Sequence, residues 1–245
     1  MGKIIAVVSG KGGTGKTTFV ANTGLALAAQ GHRVLCVDCD MPLRNLDLAL
    51  GLSDRALMDV SDVAQGRCDL SDAVVQHHRY PLLDLLAAPA GTGWQAPSPE
   101  QMGALFEKIR QTYELCLVDA PAGLGAGFRL AADHADSAVV VTTTDQTALR
   151  DAQRTVMELR RFPPGSLHLV VGRVQRRMLH ALHTNIDDAI DMAGLPLLGV
   201  VPEDSDLAYA LNKGITLRQI NSYSARAYEN IARRLTGQRV PLMKI

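Results

Sequence analysis

Short apolar runs alternate along the chain with longer segments whose apolar residues recur at helical spacing. The runs Lys3–Ser9, Leu115–Val118 and Ser137–Thr143 predict buried strands, while the segments Thr17–Gln30 and Pro99–Thr112 predict helices. Because strands and helices alternate, we expect an α/β fold with three layers: a mostly parallel twisted sheet covered by helices on both faces.

The same pattern predicts the remaining elements. Further strands are expected at Arg33–Val37, Leu82–Leu86, Leu167–Val171 and Leu197–Val201. Short or regular helices are expected at Asn45–Gly51, Asp59–Gln65, Leu70–His77, Leu124–His134, Thr147–Arg161, Leu182–Met192, Asp206–Lys213 and Ala225–Leu235. Ser98 and Pro99 are typical of a helix start and end a loop rich in glycine and proline. No linker interrupts the pattern, so we expect one domain over residues 1–245.

A glycine-rich loop joins the first predicted strand to the first predicted helix. Its sequence, which matches the phosphate-binding pattern G-x-x-x-x-G-K-[ST], is Gly10-Lys11-Gly12-Gly13-Thr14-Gly15-Lys16-Thr17, followed by Thr18. Glycines allow backbone N–H groups to turn inward around a polyphosphate, and the helix N-terminus adds positive potential. We expect Lys16 to reach the β- and γ-phosphates and the Thr17 hydroxyl to hold Mg²⁺.

Carboxylates follow two of the predicted strands. Asp38 and Asp40 end the second strand, and Asp119 ends the strand that begins at Leu115. Ligands of parallel α/β sheets bind at the carboxyl ends of the strands, so these groups are expected beside the phosphate loop. We assign Asp119 to Mg²⁺, directly or through water, and Asp40 to orienting the attacking water. Spacing alone does not separate the roles of Asp38 and Asp40.

Further polar residues are candidates for a nucleotide-sensing switch. Asn45 and Asp47 follow the second strand closely, and the sequence leaves open whether they sense nucleotide or cap a helix. Gly123 ends the turn Asp119-Ala120-Pro121-Ala122-Gly123 and joins Asp38 as a switch candidate.

Composition narrows the class of protein. Lys plus Arg equals Asp plus Glu at 25 each, so nucleic acid or membrane binding would need a local patch. No apolar run approaches the ~20 residues of a membrane span, which excludes an integral membrane protein. The chain has four cysteines and no signal peptide, so we expect reduced thiols and a cytoplasmic location.

Cysteine and histidine spacing does not predict a metal site. Cys36-x-x-Cys39 has no matching second pair, so both residues are expected to behave as buried small hydrophobes. His77-His78 and His180-x-x-His183 have no acidic or thiol companions at ligand spacing and are expected at the surface.

Lys11, the second residue of the loop, is not required by the general phosphate-loop pattern. With it, the loop resembles the deviant Walker A sequence of the MinD/ParA family of P-loop ATPases. The resemblance continues through Asp38–Asp47, Asp119–Gly123, Val200–Asp204 and Asn212–Gly214, and so covers nearly the whole chain. Within the family, the chain is most similar to the members that position the bacterial division site.

The resemblance implies a switch that is driven by ATP and Mg²⁺. ATP would cause homodimerisation and recruitment of partners at the membrane, and slow, partner-stimulated hydrolysis would release the dimer. Lys11 would reach the nucleotide of the partner subunit, and Asp40 would help to activate water. Arg173, Pro202 and Glu203 would line the nucleotide pocket. The implied partners are activator and inhibitor proteins of the division-site system.

Gly172 departs from the family pattern. The family usually has an asparagine that reads adenine, followed by an arginine, whereas this chain has Gly172-Arg173. Glycine has no side chain to donate or accept, so adenine selectivity must come from backbone groups or from another residue.

The C-terminal residues allow two interpretations. The chain ends at Ile245, about where family members continue toward a membrane-binding amphipathic helix. Arg233, Arg234, Arg239 and Lys244 alternate with apolar residues, which suits either peripheral contact with the inner face of the cell membrane or a helix end packed on the core. The second interpretation is favoured because the segment is short.

Three other functions were weighed. A ParA-like partition protein would need a basic patch, and the neutral charge balance counts against nucleic acid as a partner. A flagellar-number regulator has similar core motifs and stays open. A metal carrier such as the nitrogenase iron protein is opposed by the absence of any cysteine after Cys116.

Overall fold

The computed structural model describes residues 1–41, 43–91, 93–175, 186–213 and 215–243. Its strands are β1 (Lys3–Val8), β2 (Val34–Asp38), β3 (Val75–Gln76), β4 (Leu83–Leu86), β5 (Leu115–Asp119), β6 (Ser137–Thr142), β7 (Leu167–Val174) and β8 (Leu197–Pro202). The helices of the described residues are α1 (Lys16–Ala29), α2 (Leu46–Ala49), α3 (Val60–Ala64), α4 (Leu70–Ala73), α5 (Pro99–Thr112), α6 (Ala126–Ala132), α7 (Gln146–Glu158), α8 (Ile186–Ala193), α9 (Asp206–Lys213) and α10 (Tyr223–Leu235).

The strands form one sheet in the order β3-β4-β2-β5-β1-β6-β7-β8. All neighbouring pairs are parallel except β3 and β4. Asp119 is in register with Val7 of β1 and with Asp38 of β2, so the carboxyl ends of three central strands lie at one level. The predicted three-layer, mostly parallel α/β fold is confirmed, and its strand ends meet where the acidic residues were expected.

Alternate residues of the central strands face two separate hydrophobic cores. Ile4 of β1 packs in the core that contains Phe106 of α5, whereas Ile5 packs in the core that contains Phe19 of α1. Strand residues point alternately to the two faces of a sheet, and parallel strands are buried on both. Residues 4–8 of β1 are fully buried as a result, which explains why this strand is a continuous apolar run.

The start of α5 agrees with its sequence signals. The Ser98 hydroxyl accepts a hydrogen bond from the Gln101 N–H at 3.3 Å, and the Gln101 side chain accepts one from the Ser98 N–H at 2.8 Å. Pro99 is the first helical residue. This reciprocal capping satisfies two backbone donors that an uncapped helix leaves free.

The predicted helix Leu70–His77 is wrong in its second half. Helix α4 ends at Ala73, and Val75–Gln76 then pairs with β4 in antiparallel fashion. Val74 and Val75 are β-branched, which favours extended backbone, and the edge of β4 offers them hydrogen-bond partners. Pairing with β4, eight to ten residues further along the chain, therefore overrides the local helical pattern.

Two further sequence predictions differ from the structure. Gly172 and Arg173 lie within β7, which runs three residues beyond its predicted end. His77 is buried and not at the surface, since its side chain is only 1% exposed. His180, His183 and the start of the predicted helix Leu182–Met192 lie outside the described residues.

Cys36 and Cys39 pack in the two different cores, on opposite faces of the sheet. Burial raises the pKa of both thiols. The C-x-x-C spacing therefore does not bring the two sulfurs to one site.

No described helix has the length and apolar character needed to cross a membrane.

The buried His77 ring accepts two backbone hydrogen bonds at one nitrogen. Its Nδ1 lies 3.2 Å from both the Arg79 and the Tyr80 backbone nitrogens, which donate to it. The ring also stacks on His78, with centroids 4.7 Å apart. Burial, followed by the nearby His78, lowers the pKa of His77 to about 4. Protonation would convert Nδ1 into a donor and break both bonds.

We therefore predict that acid destabilises the protein partly through His77. The folded pKa lies below the unfolded value, so the unfolded state binds more protons, and stability is lost as pH falls from about 6.5 toward 4. The contribution of His77 between pH 7.5 and pH 5 is about 2 kcal/mol. His77→Asn keeps an oxygen acceptor but does not titrate, so urea unfolding of this variant should show a smaller pH dependence.

The control is His78→Asn, because His78 is the exposed neighbour and this change leaves the buried His77 ring in place. The buried aspartates titrate alike in all three proteins and cancel in the comparison. An unchanged pH dependence in His77→Asn would contradict the assignment.

Candidate nucleotide site

The glycine-rich loop runs from the end of β1 to the start of α1 and needs glycine at two positions. Gly13 has φ 77° and Gly15 has φ 98°, values in the left-handed region that side chains disfavour. Gly15 is the N-cap of α1, and its carbonyl accepts a hydrogen bond from the Phe19 N–H at 2.8 Å. The loop therefore opens directly onto the positive end of a helix.

Gly10 and Gly12 have different surroundings. A Cβ on Gly10 would lie 2.6 Å from the carbonyl oxygen of Asp151 in α7 and 2.9 Å from the Thr155 hydroxyl. Within the described residues, a Cβ on Gly12 would meet only the Ala122 side chain, at 3.9 Å. The beginning of the loop is thus packed against α7, while its outer rim is open.

A cleft of about 1470 Å³ opens beside the loop, at the carboxyl ends of the strands. This volume exceeds the ~300–1,000 Å³ of typical ligand pockets, so a nucleotide fits. The residues assigned from the sequence that line it are Gly12, Gly13, Thr14, Gly15, Lys16, Thr17, Thr18, Asp40, Asn45, Arg173, Pro202 and Glu203. The assigned residues that do not line it are Gly10, Lys11, Asp38, Asp47, Asp119 and Gly123.

Lys16 is a buried cation at the base of the cleft, with 7% of its surface exposed. Its Nζ donates a hydrogen bond to the Ser9 hydroxyl at 3.1 Å. Burial lowers its pKa, while Asp119 and Asp40 act in the opposite direction. Because Ser9 is neutral, the charge of Lys16 is left available to an anion in the cleft.

Asp119 is a buried carboxyl group that lies beneath the cleft and is 1% exposed. Neither of its oxygens has a hydrogen-bond partner of normal geometry within the described part of the chain. Burial, followed by Asp38, raises its pKa to about 8, against the opposing influence of Thr17 and Lys16. Carboxylate and hydroxyl oxygens are ligands that Mg²⁺ prefers, so Asp119 and Thr17 fit a magnesium site directly or through water.

The structure separates the roles of Asp38 and Asp40. Asp38 is fully buried, and its carboxylate accepts hydrogen bonds from the backbone N–H groups of Asp40 at 2.9 Å and Leu46 at 3.1 Å. Burial raises the pKa of Asp38 to about 7. Asp40 instead lines the cleft. Asp38 therefore holds the backbone of the segment that carries Asp40, and Asp40 faces the ligand space.

Asn45 lines the cleft as Asp40 does, whereas Asp47 lies outside it and accepts hydrogen bonds as Asp38 does. The Asn45 side chain lines the cleft and makes no capping hydrogen bond to α2. Asp47 accepts a hydrogen bond from Arg44 Nε at 3.0 Å and another from the Leu48 N–H at 2.7 Å. Gly123 donates its N–H to the Ser9 carbonyl at 3.2 Å, which joins the turn after β5 to the end of β1.

Lys11 points away from the cleft and contacts α7. Its Nζ donates to Asp145 Oδ1 at 3.1 Å and to Thr147 Oγ1 at 2.8 Å. Burial alone would raise the pKa of Asp145, but hydrogen bonds from Thr143, Thr147, the Ala148 N–H and Lys11 lower it. Asp145 was not predicted from the sequence, although it lies three residues after the end of β6, at the sheet edge where Asp119 ends β5, so a search of strand ends could have found it.

The far end of the cleft is formed by β7, β8 and α10. Arg173 and Glu203 form an ion pair with Nη2 and Oε1 3.2 Å apart. The polar lining residues of this region that were not assigned from the sequence are Gln175, Asp204, Ser205, Tyr223, Ser224 and Tyr228. No local signal marks the tyrosines, because only the packing of α10 on the sheet brings them here.

Comparison with known proteins identifies the family. Residues 5–217 match the family described as "CobQ/CobB/MinD/ParA nucleotide binding domain". The chain belongs to this MinD/ParA family. Septum site-determining protein MinD of Bacillus subtilis is 40% identical over 99% of this chain and 92% of its own length. The MinD of Synechocystis is 39% identical with the same coverage of both proteins.

Solved MinD/ParA structures are also similar. The MinC:MinD cell division protein complex of Aquifex aeolicus matches with a TM-score of 0.91 and 33% identity, over 99% of both chains. MinD of Pyrococcus horikoshii complexed with Mg-ADP matches with a TM-score of 0.83 and 30% identity, over 96% of both chains. These relatives support the deviant Walker A assignment of the loop around Lys11.

The two loop glycines give a prediction on stability. Gly10→Ala should destabilise the protein by about 1–3 kcal/mol, because the added methyl group overlaps the backbone of α7. Gly12→Ala should change stability by less than about 0.5 kcal/mol, since its methyl group enters open space. Urea unfolding without nucleotide measures both. Equal destabilisation by the two changes would show that the loop does not pack on α7 as described.

Proposed function

We propose that this chain is a Mg²⁺-dependent ATPase that dimerises when it binds ATP, recruits partner proteins for division-site placement, and is released by hydrolysis. The observation that carries the proposal is the cleft itself: a buried lysine lies beside the glycine-rich loop, above a buried aspartate whose oxygens have no hydrogen bond of normal geometry to any described residue. A triphosphate would give the lysine an anionic partner, and Mg²⁺ would give the carboxylate a cationic one.

Each residue of the site has a separate role in hydrolysis. The loop N–H groups and Lys16 bind the β- and γ-phosphates. Thr17 and Asp119 would hold Mg²⁺, which would neutralise charge that develops on the transferred phosphoryl group. Asp40 faces the cleft and orients the attacking water as an acceptor. Asp38 fixes the backbone that presents Asp40.

Dimerisation requires Lys11 to exchange its partners. The side chains of Lys11 and Asp145 are 43% and 49% exposed, and exposed ion pairs contribute only about 0–1 kcal/mol. The contact with α7 therefore costs little to break. In the dimer, Lys11 would instead face the triphosphate of the second subunit, where a charged hydrogen bond is stronger. ATP stabilises the dimer more than ADP does, because the γ-phosphate adds negative charge.

The partners and location are part of the same proposal. The Aquifex relative was solved as a MinC:MinD complex, which supports an inhibitor-type partner for this chain, and an activator would stimulate hydrolysis. We place the protein in the cytoplasm, with peripheral contact on the inner face of the cell membrane. The septum site-determining relatives favour a division role over flagellar-number or partition roles.

The experiment that tests the proposal is the solution mass of Asp40→Ala by light scattering. This variant should bind nucleotide but not hydrolyse it, so the ATP state persists. We expect a dimer with Mg-ATP and a monomer with Mg-ADP. Asp54→Ala is the matched control, because Asp54 is an exposed aspartate that does not line the cleft, and it should hydrolyse ATP like the wild type. A monomer with both nucleotides, together with a wild type that does not hydrolyse ATP, would refute the switch.

A further inference from the structure

Strand β7 carries a bulge next to the phosphate loop. Val171 pairs with Val200 and Val174 with Pro202, so β7 uses one residue more than β8 over this interval. The bulged residues are Gly172 and Arg173. Arg173 has φ 53°, a left-handed conformation that arginine disfavours and that persists where surrounding contacts enforce it.

The bulge contacts two consecutive peptide groups of the loop. Arg173 Nη1 donates a hydrogen bond to the Gly13 carbonyl oxygen at 3.1 Å. The Thr14 carbonyl oxygen lies 3.3 Å from the position that a Cβ on Gly172 would occupy. Both carbonyl groups therefore face β7, and a side chain at position 172 would press on the second of them.

Carbonyl direction determines where the loop donors point. In a planar trans peptide, the N–H group points opposite to the C=O group, and none of the described peptide bonds is cis. With the carbonyls of Gly13 and Thr14 turned to β7, the N–H groups of Thr14 and Gly15 turn away from it. Neither N–H donates to another backbone oxygen of the described residues.

From this geometry we propose that Arg173 is a positioning residue for the phosphate loop. It holds the Gly13 peptide so that the Thr14 N–H faces the phosphates, while Gly172 leaves room for the Thr14 carbonyl beside it. Arg173 acts through the loop backbone and not through contact with the base. The inference deepens the proposed nucleotide binding and rests on it.

Glu203 fixes the other side of the guanidinium group. Arg173 Nη2 donates to Glu203 Oε1 at 3.2 Å, and Gln175 Nε2 donates to the second carboxylate oxygen. The Glu203 N–H in turn donates to the Val174 carbonyl at 3.1 Å. The planar guanidinium group thus spans a carbonyl and a carboxylate, which the single ammonium group of a lysine cannot do in the same geometry.

Calorimetric titration with Mg-ADP and with Mg-tripolyphosphate tests the role of Arg173. Arg173→Ala should weaken the binding of both ligands by the same factor, about tenfold, because one loop donor loses its fixed direction. Arg173→Lys should show most of the same loss of affinity for both ligands. The factor should persist between about 0.1 M and 1 M salt, since the contact to a neutral carbonyl is not screened as charge attraction is.

The matched control is Arg67→Ala. Arg67 is 51% exposed and pairs with Asp62, which resembles the 58% exposure of Arg173 and its pair with Glu203, but Arg67 does not line the cleft. This variant should bind both ligands like the wild type. The amide NMR signals of Thr14 and Gly15 should also move less on Mg-ADP binding in Arg173→Ala than in the wild type, which a general loss of stability would not cause.

Several results would overturn the inference. A loss for Mg-ADP but not for Mg-tripolyphosphate would assign Arg173 to the base. Full recovery by Arg173→Lys, or a loss that disappears at high salt, would assign it to direct charge attraction. Wild-type affinity in Arg173→Ala would remove its role while leaving the proposed function intact. A wild type that binds neither ligand would refute the proposed function, and the inference with it.

Discussion

The structure depends on two buried ionisable groups that form no ion pair with each other in the described part of the chain. Lys16 and Asp119 lie at the carboxyl edge of the sheet, almost inaccessible to water, and burial shifts the pKa of each toward its neutral form. Such groups are unfavourable in a folded protein unless a ligand or a partner compensates them. The sheet holds them in place because Asp119 is in register with β1 and β2, and the loop holds Lys16 because Gly15 turns the chain into α1.

Three contacts from outside the loop keep this arrangement ready for a ligand. Asp38 ties the backbone at Asp40 to Leu46, so the segment beside the γ-phosphate position has a defined shape. Lys11 is held at the start of α7 by hydrogen bonds to Asp145 and Thr147. Arg173 reaches the loop from β7. Each contact lies at the carboxyl edge of the sheet, next to a residue that the nucleotide would touch. Nucleotide binding and the conformation of these segments are therefore linked.

Local sequence patterns predicted the phosphate loop, the strand ends and the three-layer fold, because each depends on neighbouring residues or on regular alternation. The missed features depend on contacts that form only when the chain folds back on itself. Lys11 and Asp145 are 134 positions apart, and Arg173 meets Gly13 across 160 positions. Asp38 and Asp40 could not be separated from spacing, since the hydrogen bond to Leu46 exists only after the segment folds back. His77 was placed at the surface because nothing in its neighbourhood shows that β4 will pair with β3.

The central claim is that Mg²⁺ and nucleotide together complete the buried pair. Thermal unfolding of the wild type with ADP alone, Mg²⁺ alone, and both tests it most directly. At a hundredfold excess over Kd, Mg-ADP should raise Tm by about 5–10 °C. ADP alone should raise Tm less, and Mg²⁺ alone should leave it nearly unchanged. An unchanged Tm with Mg-ADP would contradict the account, and so would an equal rise with ADP alone, because Asp119 would then have no metal to hold.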